Sequence, residues 1–478
     1  MAVTTTWKFY LKQYSNSIEL TDRTLGASIN QDVRVGSVSR GTALIEIDNN
    51  DGAFTPLNGG TYSDLDAYSY ALIIDARVMN NSGGFIQRQV FGGLVSNFVL
   101  RDDGRNSTVQ IEAVDPLTMA GRSKVEFLNL DPLQYMFRTN LGITYILNGY
   151  VEPVTGSTIF EPVDAPLLGA SLSSFPVTGA DVQEIEPFIE FFGYDGYTVA
   201  DLLNSALLPI NPAVMFSENL LFGYSSGREI VYYFTNVFDG SKVPKNSWRK
   251  DFVFDHNPTG TELPFFNIDR GYNVDDMVNG AQITRADPTQ YGGAATETKT
   301  YESTESVQRF GRRNIAYSKV AIRWDDTTEN FGVLEPGAQQ TAERWANMYD
   351  TPRFLTKSFR VSTKQVEAKA DDSAWVQWAN YLDSQYGLWN TAKIVYQPTG
   401  GSERTDNIVV AGRTINISPS DSTITVRCLP MQDNMNFILN DPQLGKLGGT
   451  LDTYDDTDYV YDEFFGYDGH PVEGNRLY

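Results

Sequence analysis

Gln89-Val-Phe-Gly-Gly-Leu-Val-Ser-Asn-Phe-Val-Leu100 is rich in β-branched and aromatic residues and is broken at its centre by Gly92-Gly93. Such side chains fit a pleated, half-buried surface, so the run reads as a strand. Two glycines inside it mark a bulge or a corner, because Gly weakens a flat strand and permits a sharp bend. The flanking sequence has the same character. Ala43-Leu-Ile-Glu-Ile-Asp48 alternates, with Ala43, Ile45 and Ile47 on one face. Leu72, Ile74, Ala76 and Val78 form one face of a further strand, with Asp75 and Arg77 on the other. Asp102-Asp-Gly-Arg-Asn106 is a hairpin turn, after which Val109, Ile111 and Ala113 alternate again. Short strands at this spacing predict a small barrel or sandwich over residues 1–125. Asp115-Pro116 reads as an N-cap followed by proline in the first helical position.

Past this unit the pattern changes several times. Residues 126–190 hold several Pro and Gly among short apolar clusters and read as an irregular insertion. Residues 191–263 read as a small α+β domain. In it, Thr198-Val-Ala-Asp201 caps a helix whose apolar face is Leu202, Leu203, Ala206 and Leu207. Strand-like Glu229-Ile-Val-Tyr-Tyr-Phe234 and Asp251-Phe-Val-Phe254 follow. Residues 264–330 and 388–430 read as a second β unit, with strands at Lys319–Trp324, Ala392–Tyr396, Asn407–Ile417 and Thr423–Cys428. Between them, 331–387 reads as a helical insertion. One helix spans 337–349, and another begins at cap candidates Asp372 and Ser373 and stops at Gly387. Residues 431–478 form a C-terminal extension; its last part, 451–478, carries eight acidic residues against Arg476 alone. That composition predicts a tail that orders on a partner.

The net charge of −23, from 37 basic and 60 acidic residues, disfavours sequence-reading contact with DNA. Such affinity comes from neutralising phosphates. A repelling surface does let a polyanion pass without sticking. The start of the chain has no apolar stretch of signal-peptide length, and no run reaches the ~18 apolar residues of a spanning helix. The single cysteine, Cys428, cannot form an intrachain disulfide and reads as a small buried hydrophobe, which fits assembly in a reducing cytoplasm.

Chemistry-bearing constellations are scarce. The two histidines, His256 and His470, are read as turn and tail residues, so a Ser-His-Asp or Cys-His site has little to build on. Too few soft ligands exist for a zinc site, and no phosphate-binding loop occurs. Asp48-Asn-Asn-Asp-Gly52 shares letters with a calcium loop but lacks its ligand spacing and closing Glu, so a polar turn is expected. The acidic cluster at 452–458 reads as solvated. No local signal selects a carboxylate pair for glycoside hydrolysis. No catalytic residue, cofactor or metal is therefore predicted. Phe-Phe-Gly-Tyr-Asp-Gly occurs at 191–196 and again at 464–469. Either it is coincidence in a chain with 26 Tyr, 27 Phe and 40 Gly, or Phe191, Phe192, Tyr194, Phe464, Phe465 and Tyr467 belong to two copies of one docking element.

Four segments, taken in order, resemble the minor tail and tail-tip hub proteins of bacteriophages. They are Arg34-Val-Gly-Ser-Val-Ser-Arg-Gly41, Ile47-Asp-Asn-Asn-Asp-Gly-Ala-Phe-Thr-Pro56, Val90-Phe-Gly-Gly-Leu-Val95 and Val109-Gln-Ile-Glu-Ala-Val-Asp-Pro-Leu-Thr118. A second block, from Asn267–Arg285 to Glu302–Arg313, is similar to the same family, as is Phe437–Gly448. The resemblance implies a mainly β fold with α+β insertions, two β-barrel-like hub domains per chain and smaller αβ domains. It implies a homotrimer with pseudo-sixfold symmetry at the virion's tail tip, assembled in the bacterial host cytoplasm. The trimer would join a hexameric distal tail ring to a central fibre or spike, and its lumen would pass the tape measure protein and then the genome. A distal tail adaptor of other symmetry, a host-glycan-binding tail module and a wall hydrolase are the alternatives carried with it.

Overall fold

The corner at Gly92-Gly93 is present, and it shapes the first half of the sheet. The computed structural model describes residues 3–13, 16–33, 40–55, 60–62, 70–115, 252–271, 277–286, 296–318, 355–384, 387–388 and 390–430. Between these it describes short pieces at 125–127, 136–138, 150–151, 158–162 and 188–190, and single residues within 198–204 and 339–350. The fold is mainly β. Its first strands are β1 Thr4–Gln13, β2 Asn16–Glu19, β3 Thr24–Asp32, β4 Arg40–Asp48, β5 Ala71–Met79, β6 Phe85–Asp102 and β7 Ser107–Val114. They lie in the order β2-β1-β5-β6-β7-β4-β3. β6 pairs with β5 through residues 85–94 and with β7 through 94–102. It changes partner at Leu94, directly after the glycine pair, with register shifts on either side, at Val90 against β5 and at Ser96 against β7. At Gly93 a Cβ would lie 2.6 Å from the Phe91 ring and 2.7 Å from the Val114 carbonyl, so only glycine fits this crossing.

The expected alternation holds. Ala43, Ile45 and Ile47 are buried, as are Val109, Ile111 and Ala113. On β5 both faces are covered: Leu72, Ile74, Ala76 and Val78 on one, Ala71, Ile73 and Asp75 on the other. The predicted 102–106 turn is made by side chains, with Asp103 Oδ1 accepting from the Arg105 and Asn106 amides at 2.8 and 2.7 Å. The helix read after Asp115 falls outside the described residues. The Asp115 carboxylate itself accepts from the Gly41 amide at 2.5 Å, tying the end of β7 to β4.

Five short strands follow: β8 Val125–Phe127, β9 Met136–Arg138, β10 Tyr150–Val151, β11 Thr158–Pro162 and β12 Phe188–Glu190. They pair as β10-β11-β8 and β12-β9. Thr198 and Asp201 exchange the reciprocal bonds of a capping box, Asp201 N to Thr198 Oγ1 at 3.2 Å and Thr198 N to Asp201 Oδ2 at 3.1 Å. Leu203 behind them is buried.

The second half is built from β13 Phe252–Asp255, β14 Leu263–Pro264, β15 Phe266–Gly271, β19 Leu355–Ser362, β20 Thr391–Tyr396, β21 Arg404–Ile417 and β22 Ser422–Pro430. Its order is β14-β13-β20-β21-β22-β19-β15. Two of these strands come from stretches assigned to other units, β13 from one read as strand-like and β19 from the helical insertion. β13 lies within 191–263 and β19 within 331–387, so the sheet crosses the boundaries placed at 263 and 387. Between β15 and β19 the chain makes a separate three-stranded sheet, β17-β16-β18, from β16 Gly280–Ala286, β17 Thr296–Glu302 and β18 Asn314–Ser318, with helix α1 Thr304–Phe310. The strand read at 319–324 and that at 229–234 lie outside the described residues.

Helices α2 Thr363–Lys369 and α3 Trp375–Leu382 complete the described core. The helical stretch is capped one residue earlier than expected, at Asp371, while α3 itself starts later, at Trp375, and ends sooner. The Asp371 side chain accepts from the Ser373 amide at 2.8 Å, a 3₁₀ turn spans Asp372–Ala374, and Asp383 is already extended. Gly387 has a different task. It lies against the Arg413 guanidinium and the Tyr381 carbonyl, where a Cβ would overlap both. In the helix read at 337–349, positions 339, 342, 343 and 346 are helical, and Ala342 and Ala346 are buried.

Candidate assembly surface

The two halves are one sheet. β21 pairs with β20 through residues 404–409 and then, along the same edge, with β3 through Gly412–Ile417 opposite Asp32–Ala27. A buried row therefore runs across seven strands: Val361, Ile424, Ile415, Ile29, Ala43, Ala113 and Val95, each directly opposite the next. Burying an Ile or Val side chain contributes about 1.5–3 kcal/mol, so this row welds the halves as firmly as it holds either.

Period-two alternation then dictates the other face. It presents Arg360 on β19, Thr423 and Thr425 on β22, Thr414 and Asn416 on β21, Ser28 and Asn30 on β3, Thr42 and Leu44 on β4, Glu112 on β7 and Asn97 on β6. These residues are exposed or half-exposed. Hydroxyls and amides bond along it. Ser28 Oγ donates to Asn416 Oδ1 at 3.0 Å, Thr414 Oγ1 to Asn30 Oδ1 at 3.1 Å and Thr108 Oγ1 to Glu46 Oε1 at 3.3 Å. The charges balance: Arg40, Arg101, Arg360 and Arg427 stand against Asp32, Glu46, Asp48 and Glu112. Arg427 is paired with Asp32. The acidic excess of the chain is thus not on this face.

Behind the junction sits a buried cation. Arg413, 1% exposed, donates to Gln31 Oε1 at 2.7 Å, to the Tyr381 carbonyl at 2.6 Å and to the Asp383 carbonyl at 3.1 Å. Burial pulls its guanidinium down to about 10 from 12.5, with Tyr381 and Asp383 working in the other direction. At neutral pH it remains charged. Helix α3 spans the same junction. Trp378 Nε1 donates to Thr5 Oγ1 of the first half at 2.9 Å. The Tyr381 ring meets Phe252 and Phe254 of the second half edge-on, at 5.4 and 5.1 Å. Arg88 of β6 pairs with Asp383 at 3.3 Å.

The residues singled out from sequence fall as follows. Cys428 is buried in β22 and unpaired, and burial pushes its thiol up. His256 lies in a bend with Nδ1 3.3 Å from both the Val395 carbonyl and Asp255. Residues 48–52 form a self-satisfied turn. The Asn49 side chain is fully buried and bonds the Phe54 amide, Thr55 and Ser107, while Asp51 pairs with Arg23 at 2.5 Å. That pair and the Ala53 amide draw the Asp51 carboxyl down to about 2. Among the described residues no group of three or more His, Cys, Asp or Glu side chains could hold a metal ion, and no helix is long and apolar enough to cross a membrane. Phe191, Phe192, Tyr194, Phe464, Phe465, Tyr467, His470 and the 452–458 cluster lie outside the described residues. Sequence reading missed Arg413, whose setting between Gly412 and Thr414 in an alternating strand carries no sign of its burial.

No protein-family model and no curated protein matches the chain. Among solved structures, it is similar to a tail protein from Neisseria meningitidis MC58 (TM-score 0.46, 8% identity, 89% of this chain and 98% of that one). It is similar to a 43 kDa tail protein of prophage MuSo2 from Shewanella oneidensis (TM-score 0.46, 9% identity, 90% and 99%). It is also similar to prophage tail protein gp18 from Listeria monocytogenes EGD-e (TM-score 0.40, 12% identity, 88% and 94%). These three solved structures are tail proteins, two of them from prophages.

Proposed function

We propose that the chain is a structural, non-enzymatic subunit of a phage tail tip or baseplate, acting as a homotrimeric hub between a hexameric distal tail ring and a central fibre or spike. One observation carries the reading: two seven-stranded halves run through the β21–β3 pairing as one sheet with an unbroken, charge-balanced hydroxyl and amide face. Three copies of a chain with two such halves present six, which suits a join between threefold and sixfold parts. Turned inward, the balanced face would line a channel. It offers neither a basic patch that would hold DNA nor a broad apolar patch that would hold the tape measure protein. On this reading Phe191, Phe192, Tyr194, Phe464, Phe465 and Tyr467, with the acidic tail, serve as docking elements for neighbouring subunits. The test is twofold. Mass photometry should give a species of about three times 53.3 kDa, and antibody labelling of virions should place the chain at the tail tip. A monomer that binds isolated host glycans, or label along the tube, would refute the hub.

A further inference from the structure

The two halves of the sheet repeat one another. Numbered within itself, each runs in the order second, first, fifth, sixth, seventh, fourth, third strand. Only the first strand differs in direction, β13 being parallel to both its neighbours and β1 antiparallel to both. The registers repeat as well. The pairing of β6 with β5 stops at Leu94, and that of β21 with β20 at Val409. One residue on, the Val95 amide donates to the Tyr70 carbonyl at 2.9 Å and the Val410 amide to the Asn390 carbonyl at 3.0 Å. Both long strands then shift register by one residue, at Ser96 and at Ala411. Each continues with six pairs, Asn97–Asp102 to β7 and Gly412–Ile417 to β22, before a four-residue turn. The halves differ in what lies beside those six residues. Gly412–Ile417 pair with β3, and Ile415 is fully buried in the row Val361, Ile424, Ile415, Ile29. The matching row is Ile47, Val109, Leu100; its first two members are buried and Leu100 is 39% exposed. Leu100 holds the place of Ile415, yet it is open to solvent where Ile415 meets Ile29. Arg101 and Asp102 beside it are exposed too.

We propose that residues 97–102 of β6 pair antiparallel with β15 of a second copy, as 412–417 of β21 pair with β3 inside the chain. β15 is the third strand of its half, as β3 is of the other. The register follows from the repeat. Ser28 lies opposite Leu44, which faces Glu112; Asp269 lies opposite Ser358, which faces Arg427. Glu112 and Arg427 are counterparts, because they pair with Asn97 and Gly412. Asp269 thus stands where Ser28 does. Ser28 pairs with Asn416, whose counterpart is Arg101. The partner's Asp269 therefore meets Arg101, and opposite charges directly across antiparallel strands are favourable. β15 is less regular than β3, with register shifts on both sides of Asp269, so fewer than six pairs form. The joint is head to tail and repeats from copy to copy until a ring closes. The joint rests on the internal repeat; its closure at three copies rests on the hub reading.

The experiment uses the full chain, whose Cys428 is buried. Arg101→Cys and Asp269→Cys are made separately and together. Residues paired across antiparallel strands lie ~4.5–5.5 Å apart at Cα, within reach of a disulfide. Under mild oxidation the two single variants, co-expressed, should give a cross-linked dimer on a non-reducing gel. Either alone should give little, because the joint sets 101 against 269 and neither against itself. The double variant should give a covalent species of three copies. In sedimentation, Leu100→Glu should weaken association about tenfold or more, because a side chain that the joint buries becomes a charge. Asp269→Arg should weaken it about tenfold, and Arg101→Asp/Asp269→Arg should return to within about threefold of the parent. Circular dichroism confirms that each variant is folded. A covalent ladder running past three copies would uphold the joint and sink the trimeric hub. Trimers by mass photometry without cross-linking between 101 and 269 would overturn the joint and leave the hub standing. Self-cross-linking of either single variant, association unchanged by Leu100→Glu, or no recovery in the charge-swapped variant would also overturn the joint.

Discussion

Replacing Arg413 with methionine tests whether the buried cation joins the halves. Two opposing contributions can be sized. The guanidinium sits at about 10 instead of 12.5, and at about 1.4 kcal/mol per unit its burial as a cation costs on the order of 3 kcal/mol. Methionine removes that cost. It also strands three buried acceptors, Gln31 Oε1 and the carbonyls of Tyr381 and Asp383. At roughly 1–3 kcal/mol each they sum to about 6 kcal/mol, and the unfilled volume of the guanidinium adds to it. The stranded acceptors win, and Arg413→Met should destabilise the chain by about 3 kcal/mol, with the melting midpoint falling by roughly 6–12 °C. Arg413→Lys should fare no better, because an ammonium on a shorter stem cannot serve three acceptors set in a fork. The pH dependence has a definite sign. The folded-state value lies below the unfolded one, so the burial cost is fully present below about pH 10 and fades as pH rises toward 12.5. Thermal unfolding followed by circular dichroism is the assay. A midpoint for Arg413→Met within about one degree of the parent would refute this accounting and the clasp with it.

Asp75 is 9% exposed, and burial raises its carboxyl against the pull of the Gln87 hydrogen bond at 2.7 Å. Its folded value therefore lies above its ordinary 3.8, and its charge lowers stability as pH rises through that window. Asp75→Asn, which keeps an acceptor for Gln87, should raise the melting midpoint at pH 7 and flatten its change between pH 4 and 7; an equal or lower midpoint would count against it. Fully buried Asn279 donates to the Gly311 carbonyl and Ser306 and accepts from the Arg313 amide. Asn279→Ala should cost about 3 kcal/mol locally and speed hydrogen exchange at Arg313 and neighbouring amides, while β3 and β21 amides stay unchanged. Glu46→Lys/Glu112→Lys should convert the balanced face into a basic one and give salt-sensitive DNA binding that the parent lacks, read by anisotropy of a labelled duplex.

Local patterning carried most of what could be read. Alternation at 43–48 and 109–113 needs only neighbouring residues, and both runs bury the faces expected. Gly92-Gly93 announced a corner because two glycines have few other reasons to interrupt such a strand. What failed to show depends on distant partners. Nothing near Leu355–Ser362 says that it pairs with β22 some sixty residues on. Gly387 follows a helix and so resembled its C-terminal residue, yet the reason for glycine is Arg413, far along the chain. The polar face had the same origin. Each of Asn416, Ser28 and Leu44 is an ordinary outward residue in its own strand, and only the β21–β3 and β3–β4 registers set them side by side.

That register also bears on mechanics. A chain whose halves met only through a linker would turn about it, and a ring of such chains would transmit load through its weakest angle. Here a turn between halves would break six backbone pairings between β21 and β3, strand Arg413, and pull Trp378 from Thr5 or Tyr381 from Phe252. These contacts share residues, so they fail together and not one by one. On the proposed reading, a hub that holds threefold and sixfold neighbours in register while a polymer passes would need such stiffness in its sheet. Its adaptable contacts would then fall to segments outside that sheet. On the proposed reading, deleting 451–478 should leave the melting of the sheet unchanged and abolish incorporation into particles. Unfolding of the truncated chain would show instead that the tail belongs to the core.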